Sequence, residues 1–178
     1  MRESLQSLRR GFLLALLALF AMLAIPLKSY LQAVIILVAI PFGIVGAVLG
    51  HLLLGYELSI ISLMGIVALS GVVINDSLIL VDTTNEFRRS GLPLREAIAR
   101  APVRRFRPVL LTSLTTFFGL LPIMLERSVQ ARFMIPMAVA LGFGILLSTA
   151  ITLILVPALY TIIEDVRDWG RRWTAGRG

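Results

Sequence analysis

Uncharged, mostly apolar residues run in five long stretches along the chain, and the charged residues gather between them. The stretches are Gly11–Leu27, Leu31–Leu54, Leu58–Val81, Val109–Leu125 and Phe133–Ile163, with Asp76 the lone charge inside the third. A helix needs roughly 20 predominantly apolar residues to cross the hydrocarbon core of a bilayer. The pattern therefore predicts five spanning helices, the first short and the fifth longer than a span requires. Arg9 and Arg10 precede the first stretch much as a signal peptide's basic residues would. Pro26-Leu27-Lys28-Ser29 is not a small-residue cleavage site, however, and four more spans follow, so the first stretch reads as a genuine span. The expected fold is all-α: a polytopic membrane protein with a single transmembrane domain over residues 1–178.

Three of the connections are short: Lys28–Tyr30, Gly55–Glu57 and Glu126–Arg132. The exception is Asp82–Pro108. After the turn signal Gly91-Leu92-Pro93, residues Leu94, Ala97, Ile98 and Ala101 recur at helical spacing, with Arg and Glu on the other side. This predicts a short amphipathic helix at about 93–104 lying on the membrane surface; the alternative is an ordinary polar loop with partial helix. Pro41, Pro122, Pro136 and Pro157 fall inside or near the ends of spans, where neighbouring helices or waters can satisfy the freed carbonyls. Gly43, Gly46 and Gly50 lie three and four apart, and Gly65, Gly71, Gly142 and Gly144 add further small residues. Such positions either let helix backbones approach closely or reflect the general abundance of glycine in membrane helices.

Composition sharpens the picture. Hydrophobic residues make up 58% of the chain and charged residues 15%, with a mean hydropathy of +0.93; soluble domains carry about 25% charge. The chain has no cysteine, which excludes disulfides, thiolate metal sites and Cys nucleophiles, and its single histidine, His51, excludes a multi-His centre. No phosphate loop, catalytic triad or metal-ligand spacing is present, so no enzyme activity is expected. The net charge of +7 comes almost wholly from arginine. Its arginines flank spans instead of forming one surface, which argues against a nucleic-acid partner. With five alternating spans, one side collects Lys28, the seven arginines of 82–108 and four in the C-terminal segment, twelve cations in all, against five on the other. The positive-inside rule makes the first side cytoplasmic and puts the N-terminus outside. Three arginines in the first ten residues, with nothing before them to carry them across, suggest a piece of something longer.

The polar residues within the spans are the candidates for chemistry. Asp76 is about 18 Å from Arg88 along a helix, or about 9 Å from Asp82. At either depth a carboxylate costs several kcal/mol in lipid, so it should face the bundle, find a partner or bind a proton. Asn75 and Ser77 flank it. On the fourth span Thr112, Thr115 and Thr116 fall on one face, and Thr112 is about 7.5 Å past Arg107, a depth that could match Asn75 and Asp76. One reading is a hydrogen-bonded ion pathway across the two helices; the other is polar glue, with Thr hydroxyls bonding their own carbonyls. The balance favours glue for the threonines and function for Asp76. His51 reads as interfacial instead of a ligand, and Arg104, Arg105 and Arg107 as membrane anchors. Trp169 and Trp173 also read as anchors, and Phe117, Phe118, Met134 and Met137 as packing.

Several runs together resemble one family. They are Pro41-Phe42-Gly43-Ile44-Val45-Gly46-Ala47; Gly65 to Asp82, ending Val72-Val73-Ile74-Asn75-Asp76-Ser77-Leu78-Ile79-Leu80-Val81-Asp82; Arg105-Phe106-Arg107-Pro108-Val109-Leu110-Leu111-Thr112-Ser113-Leu114-Thr115-Thr116; and Val156-Pro157-Ala158-Leu159-Tyr160. In this order, over about residues 4 to 165, they look like the C-terminal half of a resistance-nodulation-cell division (RND) efflux permease. The resemblance implies twelve helices in two similar halves, each with a large porter loop, working as a trimer. It also implies export of drugs, other small molecules or metal ions with the proton gradient as energy source and no cofactor. The five spans would correspond to helices eight to twelve, without either porter domain, and the basic 82–108 loop to the cytoplasmic connection between helices ten and eleven.

By the same resemblance the family's relay lysine falls at Asn75, which brings no cation, its relay threonine at Thr112 and a nearby arginine at Arg105. Asp76 would act with partners that this sequence does not contain. The expected partners are the lipid bilayer and the N-terminal half or full-length subunits; a periplasmic adaptor and an outer-membrane channel are also allowed. The expected location is the bacterial inner membrane, with the N-terminus periplasmic and the C-terminus cytoplasmic. The resulting expectation is part of a proton-coupled efflux permease, incomplete alone, with Asp76, Asn75, Thr112 and Arg105 as proton-relay candidates. The alternative is a non-transporting scaffold or inert remnant.

Overall fold

The computed structural model describes residues 2–129 and 131–175, and over these the backbone is helical with no strand. Among them six α-helices follow one another: α1 (Arg2–Leu27), α2 (Tyr30–Val38), α3 (Ile40–Leu54), α4 (Ile60–Arg89), α5 (Leu94–Leu125) and α6 (Ile135–Ala175), with a single 3₁₀ turn at Ala131–Phe133 before α6. Five segments are long and apolar enough to cross a membrane: Arg9–Leu27, Tyr30–Leu54, Ile60–Arg89, Leu94–Leu125 and Ile135–Ile163.

The second of these is two helices, not one. Pro41 has no N–H to offer the carbonyl of Leu37, and its ring crowds the preceding turn. The ladder breaks at Ala39, whose N–H turns back to Ile36 O (3.2 Å) while its carbonyl receives the N–H of Phe42 (3.2 Å). Other ends are set by local chemistry. Ser29 Oγ accepts the Gln32 N–H at 3.3 Å to start α2. Ser59 and Ser62 cap α4 reciprocally, each hydroxyl accepting the other's backbone N–H at 3.2 and 3.1 Å. Gly55, at φ 72°, closes α3 in the left-handed region that glycine enters at no steric cost. Between α5 and the 3₁₀ turn, the Glu126 carboxylate accepts the N–H groups of Arg127 (2.9 Å) and Ser128 (3.0 Å). The backbone N–H of Ser128 and then that of Arg127 hold this carboxyl below its ordinary pKa.

The helix α6 is the centre of the bundle, packed against α3, α4 and α5. Close approach depends on glycine at particular places. A Cβ on Gly46 would lie 2.8 Å from both the Leu147 Cβ and the Phe143 carbonyl oxygen, and one on Gly65 would lie 2.8 Å from the Met137 carbonyl oxygen. Gly71 has nothing within 4 Å, so its small size is not used among the described residues. The helix α1 is peripheral: it lies mainly on α2, buries Leu23 and Ala24, and leaves Leu13, Leu14 and Leu17 exposed.

The segment expected as a separate surface helix is instead the first third of α5, continuous with the span through Pro102 and Pro108. The physical reason is where its apolar side goes. Ile98 and Ala101 join the core cluster formed with Leu80, Val81, Val156 and Tyr160, so this stripe is used inside the protein. Exposed ion pairs from Arg104 to Glu86 (3.0 Å) and Arg95 to Asp165 (2.9 Å) tie the same segment to α4 and α6.

Deeper in, Ser113 and Thr149 join α5 to α6 through a buried hydroxyl pair at 2.6 Å. Interhelical bonds of this kind within membranes contribute about 0.6 kcal/mol each. A double-mutant cycle of Ser113→Ala and Thr149→Val, read from unfolding in mixed micelles, should return a coupling of about that size. A coupling near zero would mean that each hydroxyl is fully served by its own helix.

Candidate functional site

The middle of α4 carries a buried polar group. Asp76 is 9% exposed and Ser77 fully buried, and the Ser77 hydroxyl has no hydrogen-bond partner among the described residues. No described side chain forms an ion pair with Asp76 either. Its position follows from the helix register: Leu69, Val73, Asp76 and Leu80 recur at spacings of three and four, and the other three belong to the buried core. Asp76 is thus held on the packed side of α4 by the same periodicity that buries its apolar neighbours.

Arg105 reaches α4 from α5. Its Nε donates to Thr83 Oγ1 at 2.7 Å, and Thr83 in turn donates to Ile79 O at 2.8 Å. Thr83 is seven residues beyond Asp76, nearly the same face and about 10 Å farther along the axis. The guanidinium is therefore engaged one to two turns away from the carboxylate. Arg104 stays outside, pairing with Glu86 and lying 5.3 Å over the Phe87 ring.

Thr112, on α5, is exposed and donates to its own turn at Pro108 O (2.9 Å). Thr115 and Thr116 do the same to Leu111 O (2.7 Å) and Thr112 O (2.8 Å). On α4 both Asn75 and Asp82 are exposed. The four candidate residues are thus not assembled into one hydrogen-bonded chain within this protein. Asp76 faces inward, Arg105 bridges two helices at one end, and Asn75 and Thr112 face out of the bundle with their oxygens available to a neighbour.

Two polar arrangements escape sequence reasoning. His51, expected at an interface, is 2% exposed. Its Nδ1 lies 2.8 Å from Ala47 O and its Nε2 2.7 Å from Ser62 Oγ. A carbonyl can only accept, so Nδ1 donates to Ala47 O, and the Ser62 hydroxyl, which can donate or accept, serves Nε2. The second is a reciprocal amide pair, Gln32 Nε2 to Asn85 Oδ1 (3.1 Å) and Asn85 Nδ2 to Gln32 Oε1 (3.0 Å), which fastens the start of α2 to the end of α4. Nothing in the pattern pairs His51 with Ser62 or Gln32 with Asn85. Phe117 packs edge-on against Phe143 (5.4 Å between ring centres), which settles its structural role. The side chains of Trp169 and Trp173 lie outside the described residues. Among the described residues no three metal-ligating side chains come together.

Comparison with known proteins gives concordant matches. The family described as AcrB/AcrD/AcrF matches residues 1–164. Two crystal forms of a heavy metal efflux pump are similar in fold. Form I has a TM-score of 0.73 at 32% identity and form II a TM-score of 0.77 at 31% identity. In each, 85% of this chain is covered but only 15% of the pump, so the chain spans about one seventh of the length of those proteins.

Proposed function

The chain belongs to the AcrB/AcrD/AcrF family, and on that premise we propose that it supplies five membrane-crossing helices of an RND-type efflux permease that exports small molecules or metal ions against a proton gradient. The two similar crystal structures are of a heavy metal efflux pump, which favours a toxic metal ion over a drug as cargo. The observation that carries the proton coupling is Asp76: a carboxyl set on the packed face of a spanning helix, with no ion-pair partner among the described residues. Such a group is tolerated in hydrocarbon when it is protonated or meets a cation, and a group that alternates between those conditions couples proton movement to helix packing. The cation would come from helices outside this chain. Asn75 and Thr112 would face those helices, and Arg105, held by Thr83, would set the spacing of α4 and α5 at the end nearer the arginines. The gradient itself is the energy source, with no cofactor.

The proposed location is the inner membrane, the arginine-rich end toward the cytoplasm. That end is built by Arg88 and Arg89 of α4 together with the start of α5, and the Gln32–Asn85 pair brings the Lys28 connection to it. In this proposal the start of α1 is periplasmic and the end of α6 cytoplasmic. Trimer formation with porter-bearing subunits, and association with a periplasmic adaptor and outer-membrane channel, belong to the same proposal.

Co-expression tests it. Cells lacking their own pumps would receive this chain, the N-terminal part of a similar transporter, or both, and be grown on heavy metal salts and on lipophilic drugs. Resistance with both and with neither alone is expected. No resistance in any combination, with both parts present in the membrane, would favour a non-transporting scaffold.

A further inference from the structure

On the outer side of α5 and α6 lies an open groove of about 550 Å³, running from Pro102 to Ser113 on one helix and from Ile154 back to Leu146 on the other. Its walls are hydrocarbon: Phe106 and Leu110 of α5 and Ile154 of α6 are left exposed along it. At its deep end Ser113 and Thr149 bond each other at 2.6 Å and so ask nothing of an occupant. Arg107 adjoins Phe106 and sits one turn from Val103 and from Leu110, which puts it at the groove's edge at about 100° per residue. The nearby arginines are engaged: Arg95 with Asp165, Arg100 with Glu96, Arg104 with Glu86 and Arg105 with Thr83. Arg107 is exposed and has no acidic partner among the described residues.

We propose that the groove and Arg107 form a binding site for one anionic phospholipid, with an acyl chain between α5 and α6 and the phosphate on the guanidinium. Charge complementarity selects the headgroup, since an arginine at this depth is met by a phosphate where hydrocarbon gives way to water. The groove follows α5 for about 16 Å, a length that an extended acyl chain can lie along. The face suited to a partner helix is elsewhere: Thr112, Thr115 and Thr116 lie about 130° around α5 from the groove lining, with oxygens that can take hydrogen bonds.

The test uses the purified chain in nanodiscs of phosphatidylcholine, with or without added phosphatidylglycerol, and counts the lipid that stays bound on gentle release by native mass spectrometry. One retained phosphatidylglycerol per chain, in preference to phosphatidylcholine, is expected. Arg107→Gln should lower that preference roughly fivefold, the effect of about 1 kcal/mol per basic residue near an anionic headgroup, and Arg107→Lys should keep most of it. Ala150→Trp fills the groove and should remove retention of either lipid, with helix content by circular dichroism as the folding control; if it does not fold, Arg107→Gln decides alone. Equal retention of the two lipids by the unaltered chain, or an unchanged preference in Arg107→Gln, overturns the proposal. So does loss of the retained lipid on adding the N-terminal part of a similar transporter, which would make the groove a protein interface.

Discussion

Asp76→Asn should lower proton-driven export by a complete transporter carrying this segment by on the order of 100-fold, about 2.7 kcal/mol in the rate-limiting barrier. Asparagine keeps the size and can still hydrogen-bond, but it cannot take up or give up a proton. The same substitution should leave the bundle folded. Replacing a carboxylate that has no ion-pair partner among the described residues by a neutral amide removes a desolvation cost and no contact, so the unfolding midpoint in mixed micelles should hold or rise. Lost export with retained stability separates a role in transport from a role in packing. Asp82→Asn is the control: Asp82 is on the same helix but exposed, and export should stay within about twofold, or 0.4 kcal/mol. Unchanged export in Asp76→Asn would remove this residue from the proton path and leave the membership of the family untouched.

Gly46→Leu should be among the most damaging single changes to the fold. Its Cβ would fall 2.8 Å from the Phe143 carbonyl oxygen and from the Leu147 Cβ; the first is backbone and cannot rotate away. Overpacking of this kind costs about 1–3 kcal/mol and occasionally more, and here it would separate α3 from the helix on which the bundle is built. Gly71→Leu adds the same side chain where nothing lies within 4 Å and should cost less than about 0.5 kcal/mol. Unfolding of both variants in mixed detergent and dodecyl sulfate micelles, followed by circular dichroism, gives the comparison. Equal stability of the two would mean that α3 and α6 are not in contact as described.

The contrast between those glycines shows what the sequence could and could not reveal. Five spans follow from apolar length alone, because lipid imposes a minimum of roughly 20 residues whatever the neighbours are. Helix ends follow less well. Charged residues stop being lipid-compatible before they stop being helical, so α4 runs on to Arg89 and α5 begins at Leu94. Pro41 was visible, but whether a proline bends a helix or breaks it depends on the turn before it, and here it breaks at Ala39. The amphipathic stripe of Leu94 to Ala101 was also visible; that it packs on protein instead of lying on lipid is a tertiary fact. The cost of an acid in hydrocarbon pointed to Asp76, which the bundle does bury. The same reasoning could not place Asn75 and Thr112, which face outward. His51 was misplaced because burial of an imidazole depends on finding both its hydrogen-bond partners, and one of them, Ser62, comes from the next helix.

The seating of α3 and α4 on α6 through glycines also restricts how the protein can move. With backbone against backbone at Gly46 and Gly65, neither helix can slide along α6 without driving atoms into one another, and close-packed interiors yield little to such shear. Any movement of these helices would therefore carry them as one rigid slab, while α1, attached mainly through α2, is the strap most easily left behind.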